Sequence, residues 1–294
     1  MNWLASLRKA VDYMEEHLCE NISADDVAKD CAISSFYLQK GFSIISGYSI
    51  GEYLRNRRLY KAALDLQNTD EKVIDIALKY CYETPESFTK AFSRFHLCTP
   101  MDVRNGEKNV KVFVPLKFQI SIQGGNEMNC RIEKMDSFKI IGFKKQFNGE
   151  TSYQEIPKYW DEVTETHAKR MFVDGKEPET EIQKAIMENH IGLYGACVNE
   201  QNGGNFDYMI AGPYDGGAVP EGLYVHEFVS GEWVKFECTL KTLQETNTRI
   251  FKEWLPSNED FELREASDIE WYSPDGVPGT PDLPCEIWIP VKRI

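Results

Sequence analysis

Glu286 and Trp288 stand two residues apart in the closing run of the chain, where a carboxylate and an indole could do one piece of chemistry together. If that run is a strand, alternation puts Glu286, Trp288 and Pro290 on one face and Cys285, Ile287, Ile289 and Val291 on the other. The second set reads as plain core. The first suits an aromatic or lipophilic cation: the ring supplies area and cation–π attraction, the carboxylate supplies charge. A buried carboxylate is costly alone, so a ligand cation, a neighbouring donor or protonation must answer it. Trp271 and Tyr272, Tyr208, Tyr194 and Trp160 are the further aromatics that could wall such a site.

Other chemistry is hard to find. There is no G-x-S-x-G, no phosphate-binding glycine loop and no clear triad, so no catalytic residue is assigned and the chain is read as a non-enzyme. Eight cysteines are scattered without a C-x-x-C pair, and five histidines show no H-E-x-x-H spacing. That argues against a metal site or a disulfide scaffold, and for thiols that act as small buried hydrophobes. No cofactor is expected. No run approaches a membrane span, and the amphipathic start lacks the form of a signal peptide, so a cytoplasmic location is expected.

The elements that must position these residues fall into two halves. The second half reads as a weak repeat. Strand FKIIGFKKQF, a helix from about Ser152, then strands GLYGACV and FDYMIAG are followed by strand GEWVKFEC, a second helix, then FELREASDIEWY and CEIWIPVK. Two such strand-helix-strand-strand units make an α+β sheet with helices on one face and a concave face opposite. The first 104 residues read as all-helical. Trp3, Leu7, Ala10, Val11, Met14 and Leu18 recur at helical spacing, Ser23 with Asp26 marks a helix start, and a long helix runs from Ile50 to Asn68. Ser23–Gly47 and Val73–Arg104 repeat one device: a short helix, a tight break, then a capped second helix. Two helix-turn-helix units on one long helix suggest a reader of two adjacent major-groove segments. Arg55, Arg57, Arg58 and Lys61 on that helix read as a solvated face paired with Glu52 and Asp65, with one or two left for phosphate.

Charge separates the halves. Residues 1–110 hold 14 Lys and Arg against 16 Asp and Glu, whereas the remainder holds 19 against 31, so the net charge of −14 belongs almost wholly to the second half. An acidic body does not favour phosphate but suits a domain that receives cations.

Residues 5–104 resemble the DNA-binding domain of the AraC/XylS family, through Ser34, Leu38, Lys40 and Phe42 followed by Gly47, and through Phe88, Phe92, Pro100 and Arg104. The second half resembles the GyrI-like effector-binding domain that follows such readers in Rob-type regulators, in IEKMDSFKIIGF, the segment Trp254–Trp271 and EIWIPVK. The resemblance implies that Ser35, Phe36, Gln39 and Lys40 read DNA in the first unit, and Glu86, Ser87, Thr89 and Lys90 in the second. Gln can bond adenine, Lys can reach guanine, and a carboxylate at Glu86 can accept from cytosine but repels phosphate. It also points to Glu286 as the ligand-binding acid. Cys81-Tyr82 and His96-Leu97 depart from the family, which favours Gly at each of these turns.

The expected fold is therefore multidomain: an all-α double helix-turn-helix domain over 1–107, a linker or first strand over 108–128, and an α+β GyrI-like domain over 129–294. The expected function is a transcriptional regulator whose C-terminal domain binds a small hydrophobic, cationic effector. Double-stranded promoter DNA, the effector and RNA polymerase are the expected partners. A pocket hydrolase or a ligand-free protein-interaction module are the rival readings of the second half.

Overall fold

Seven helices form because caps and apolar periodicity agree along the first 104 residues. The computed structural model describes residues 3–117, 128–149, 151–201, 205–265 and 267–294. Helix α1 (Trp3–Glu16) buries Trp3, Leu7, Ala10, Val11 and Met14, the face set by its sequence periodicity. Helix α2 (Ala24–Cys31) starts at Ser23, where Ser23 and Asp26 satisfy each other's backbone N–H. Helix α3 (Ser35–Ser46) follows a turn in which Ala32 takes a φ of 52°. Helix α4 (Ile50–Asn68) is capped by Ser49 and Glu52. Helix α5 (Val73–Lys79) leads to α6 (Pro85–His96), which Thr84 caps with Pro85 in its first turn, and α7 (Pro100–Arg104) ends the series. Leu59, Ala62 and Leu66 of α4 share one core with Ile76, Phe88 and Phe92.

Two details differ from the sequence reading. Arg57 is not on a solvated face: it is buried, and its guanidinium bonds both carboxylate oxygens of Glu15 at 2.7 Å and the carbonyl of Phe113. Arg58 donates to the carbonyls of Leu18 and Glu20, and Asp65 pairs with Lys79. The alternating run after Lys108 carries no strand over 111–117; its Phe113 ring lies against Tyr48, Tyr53 and Phe95. The rest of that run lies outside the described residues.

The second half is one antiparallel sheet of nine strands among the described residues. They are β1 (Cys130–Met135), β2 (Phe138–Asn148), β3 (Tyr194–Gln201), β4 (Asn205–Pro213), β5 (Tyr224–Phe228), β6 (Gly231–Thr239), β7 (Phe261–Leu263), β8 (Asp268–Tyr272) and β9 (Pro284–Arg293). The order is β1-β6-β9-β8-β3-β4-β2-β5, with β7 on β9. The expected repeat is present: β2, helix, β3, β4 matches β6, helix, β8, β9, and the copies meet at the β3–β8 pair. The likeness extends to the helices. Helix α8 (Ser152–Val163) continues through a π turn, Thr164–Ala168, and α9 (Lys169–Phe172), with α10 (Glu181–Glu188) after it. Helix α11 (Leu243–Arg249) continues through a π turn, Ile250–Trp254, and α12 (Leu255–Ser257). Such turns often mark functional places. The segment FELREASDIEWY is two strands, β7 and β8, rather than one.

By their contacts the described residues divide into two compact units that do not follow chain order: residues 34–45, most of α3, group with those from 128 onward, while 3–33 and 46–117 form the other.

Candidate effector site and DNA-reading helices

The expected DNA-reading residues of the second unit stand on the surface. Glu86, Ser87 and Lys90 are exposed and Thr89 is half-buried, because Phe88 and Phe92 anchor the opposite face of α6 in the core. Pro85, Glu86, Thr89, Lys90 and Ser93 share one open face of α6. A side-chain surface of this kind, opening a capped helix, can enter a major groove.

The first unit is different. Ser35, Phe36 and Gln39 are buried, and Lys40 is half-buried. Within the unit that α3 shares with the sheet, Glu200 accepts from the Ser34 hydroxyl at 2.9 Å and from the Phe36 N–H at 2.5 Å. Tyr37 donates to the carbonyl of Ser267 at 2.6 Å, and Phe36 meets the Phe206 ring edge-on with centroids 5.2 Å apart. The Lys40 ammonium is bonded to Asp268 and sits between the rings of Phe36 and Phe251. Gln39 donates to Ser35 at 3.0 Å.

The six expected ligand residues separate into two groups. Cross-strand register places Glu286 opposite Trp271, Trp288 opposite Ile269, and Trp271 opposite Tyr194, so Glu286, Trp288, Trp271 and Tyr194 share one face. There the carboxylate is already answered. Arg131 contacts Glu286 at 2.8 and 3.0 Å, and the Trp288 N–H donates to it at 2.6 Å. The face of Trp288 is also taken, since the Lys235 ammonium lies 3.9 Å from the ring centroid and pairs with Glu133 at 2.7 Å. Arg131 and Lys235 thus lie on the Glu286 carboxylate and the Trp288 ring. Around them Ile140, Met209, Phe228, Trp233 and Ile269 form an apolar core.

Tyr208 and Trp160 lie on the other, helix-covered face, beside a carboxylate the sequence reading passed over. Glu270 of β8 accepts from the Tyr272 hydroxyl at 2.9 Å and from Tyr208. Trp160, carried in by α8, donates its N–H to the Tyr208 oxygen at 2.9 Å and meets Tyr272 edge-on at 5.5 Å. Gly195, paired with Glu270 across β3–β8, makes the room: a Cβ there would lie 2.2 Å from the Tyr208 oxygen and 3.3 Å from the Glu270 carboxylate. Burial pushes the Glu270 carboxyl above its ordinary range, opposed by the Lys40 charge and the tyrosine hydroxyls. Tyr208 is buried at the base, while Glu270, Tyr272 and Trp160 keep part of their surface accessible. This is a desolvated acid among aromatic side chains. Strand alternation in Asp268–Tyr272 was the available signal, since it sets Glu270 and Tyr272 on the face opposite Trp271. Arg131 and Lys235 carried no such local sign.

Among the described residues no cluster of His, Cys, Asp or Glu could hold a metal ion. The eight cysteines are free; Cys31, Cys98, Cys197 and Cys285 are buried as expected, whereas Cys19 and Cys130 are exposed.

Residues 128–292 match the GyrI-like small molecule binding domain, and residues 27–106 match a helix-turn-helix domain. The chain belongs to the GyrI-like small-molecule-binding family and carries an AraC-type helix-turn-helix domain ahead of it. It is similar to the right origin-binding protein of Escherichia coli K12, 36% identical over 100 residues, which are 34% of this chain and 35% of that protein. It is also similar to the regulatory protein SoxS of Salmonella typhimurium, 33% identical over 99 residues, 34% of this chain and 92% of that protein. A solved AraC-type transcriptional regulator from Chromobacterium violaceum is 26% identical, covering 35% of this chain and 93% of that one, with a TM-score of 0.34. The chain thus spans about a third of the length of the first of these relatives.

Proposed function

We propose that the chain is a DNA-binding transcriptional regulator whose C-terminal domain receives a small hydrophobic cation at Glu270. The observation that carries the effector half is the desolvated Glu270 carboxylate among Trp160, Tyr208 and Tyr272. A delocalised cation would restore its charge balance and stack on the rings, a gain that a neutral ligand cannot supply. This moves the primary site from the expected Glu286 to Glu270. Glu286, Trp288, Trp271 and Tyr194 become a second face in which Arg131 and Lys235 act as internal counter-ions.

The DNA half rests on the helix-turn-helix match and on the open face of α6, where Thr89 and Lys90 are the readers and Glu86 limits phosphate contact. In the first unit Ser35, Phe36, Gln39 and Lys40 are the proposed readers. Action on transcription then passes through RNA polymerase as the partner, in the cytoplasm where DNA and polymerase meet. Among the described residues no helix is long and apolar enough to cross a membrane.

Regulation requires that the cation bind two arrangements with different affinity. The test is a duplex selected from a random-sequence pool with the full chain, titrated by fluorescence anisotropy with and without berberine, a planar lipophilic cation. A change in DNA affinity of about fivefold or more is expected from coupling of ordinary size. An unchanged affinity at saturating berberine would remove the regulatory reading. Hydrolysis of ester or epoxide probes that is lost in Glu270→Gln would replace it with the pocket-enzyme reading.

A further inference from the structure

We infer that the C-terminal domain holds the first recognition helix in a latch that imitates DNA. Two carboxylates stand where phosphates and bases would. Glu200 accepts from the Ser34 hydroxyl and the Phe36 N–H at the opening of α3, the kind of contact a backbone phosphate makes with a helix N-terminus. Asp268 takes the Lys40 ammonium, which the rings of Phe36 and Phe251 flank. Tyr37 bonds the Ser267 carbonyl, and Phe36 packs on Phe206. Gln39, the residue best suited to adenine, is only 6% exposed.

Every one of these groups must be released before α3 can enter a major groove. On α6, by contrast, Glu86, Ser87 and Lys90 are exposed. The acidity of the second half thereby acquires a particular use, since two of its carboxylates compete with DNA for one helix. The latch lowers the apparent affinity by the fraction of molecules in which α3 is free. It rests on α3 being a DNA reader, and its Lys40–Asp268 pair lies close enough to Glu270 to act on that carboxylate electrostatically.

The test uses the full chain with Glu200→Gln and Asp268→Asn, and a duplex selected with that variant from a random pool. At ~100 mM salt the variant should bind at least about tenfold more tightly than wild type. A charge-matched control, Glu259→Gln with Asp282→Asn at exposed positions, should bind within about twofold of wild type, the scale of a screened surface charge effect. Equal affinity of latch variant and control would overturn the latch. Adding Gln39→Ala to the latch variant should abolish the gain; if it changes nothing, α3 is not the reader and the premise itself falls. Should the double variant not fold, a chain carrying Gln39→Cys reports the same state: iodoacetamide should modify the introduced thiol slowly, and faster once Asp268→Asn is added. Rapid modification without Asp268→Asn would also overturn the latch.

Discussion

The Trp160 indole N–H donates to the Tyr208 hydroxyl oxygen at 2.9 Å, and this bond, made between a helix and a strand, leaves the Tyr208 proton to point at Glu270. An acid placed by burial is thus oriented by neutral donors, with the Lys40 ammonium, paired with Asp268, near enough to oppose the effect of burial. The opposite face shows what a satisfied carboxylate looks like in the same sheet, with Arg131 and Trp288 both on Glu286. The contrast between the two acids is the basis of the functional assignment.

Gly195 should be indispensable to the site. In Gly195→Ala the new methyl meets the Tyr208 oxygen at 2.2 Å, so the ring must leave Trp160 and Glu270 or the strands must part. Overpacking of this kind costs about 1–3 kcal/mol. Urea unfolding should show that loss, with berberine affinity falling alongside. Wild-type stability with wild-type affinity would mean that the pocket is not built as described.

Leu97 offers a gain in stability. It follows α6 with a φ of 62° and is 87% exposed, so its side chain has strain to relieve and little packing to lose. Leu97→Gly should stabilise by about 0.5–1 kcal/mol, since glycine takes the left-handed conformation without the Cβ penalty. A higher urea midpoint with an unchanged slope is the expected reading, and a lower midpoint would contradict it.

His96 predicts a pH dependence. Its Nε2–H donates to the Leu59 carbonyl at 3.1 Å and its Nδ1 accepts from the Lys111 N–H at 3.0 Å, an arrangement only the neutral ring can make. Burial accordingly lowers its pKa below the ordinary 6.5. The unfolded chain takes up the proton first, so the stability His96 contributes is complete above about pH 6.5 and is lost as pH falls through the lower folded value. Melting temperatures between pH 7.5 and 5.5 should fall more steeply for wild type than for His96→Gln, which has no proton to take up. Parallel slopes would refute this.

Much of the fold was legible because it is local. Ser23 with Asp26 and Thr84 with Pro85 announce helix starts, and both are caps in the structure. The closing strand buries Cys285, Ile287, Ile289 and Val291 as its sequence requires, but Trp288 and Pro290 on the other face are buried too, so burial does not alternate along it. Cys81 and Leu97, standing where the family favours Gly, do take positive φ values of 65° and 62°. What escaped was set by partners far along the chain. Arg57 looks like a surface charge until Glu15 and Phe113 are brought to it, and Glu286 looks unanswered until β1 delivers Arg131. Glu270 was half visible: alternation separates it from Trp271, but only the β3–β8 register places it over Gly195 and beside Tyr208.

The most direct measurement of the central claim is calorimetric titration of berberine into the full chain and into Glu270→Gln and Glu286→Gln. Glu270→Gln should bind at least about tenfold more weakly, a loss of about 1.4 kcal/mol or more. It should also be no less stable than wild type at pH 7, because an acid whose pKa is raised on folding costs stability once pH exceeds its unfolded value and it ionises. Glu286→Gln should bind within about twofold of wild type, roughly the scale of a weak ion-pair contribution, since Arg131 already holds that carboxylate. Loss of binding in Glu286→Gln with Glu270→Gln unaffected would contradict the assignment and return the site to the opposite face of the sheet.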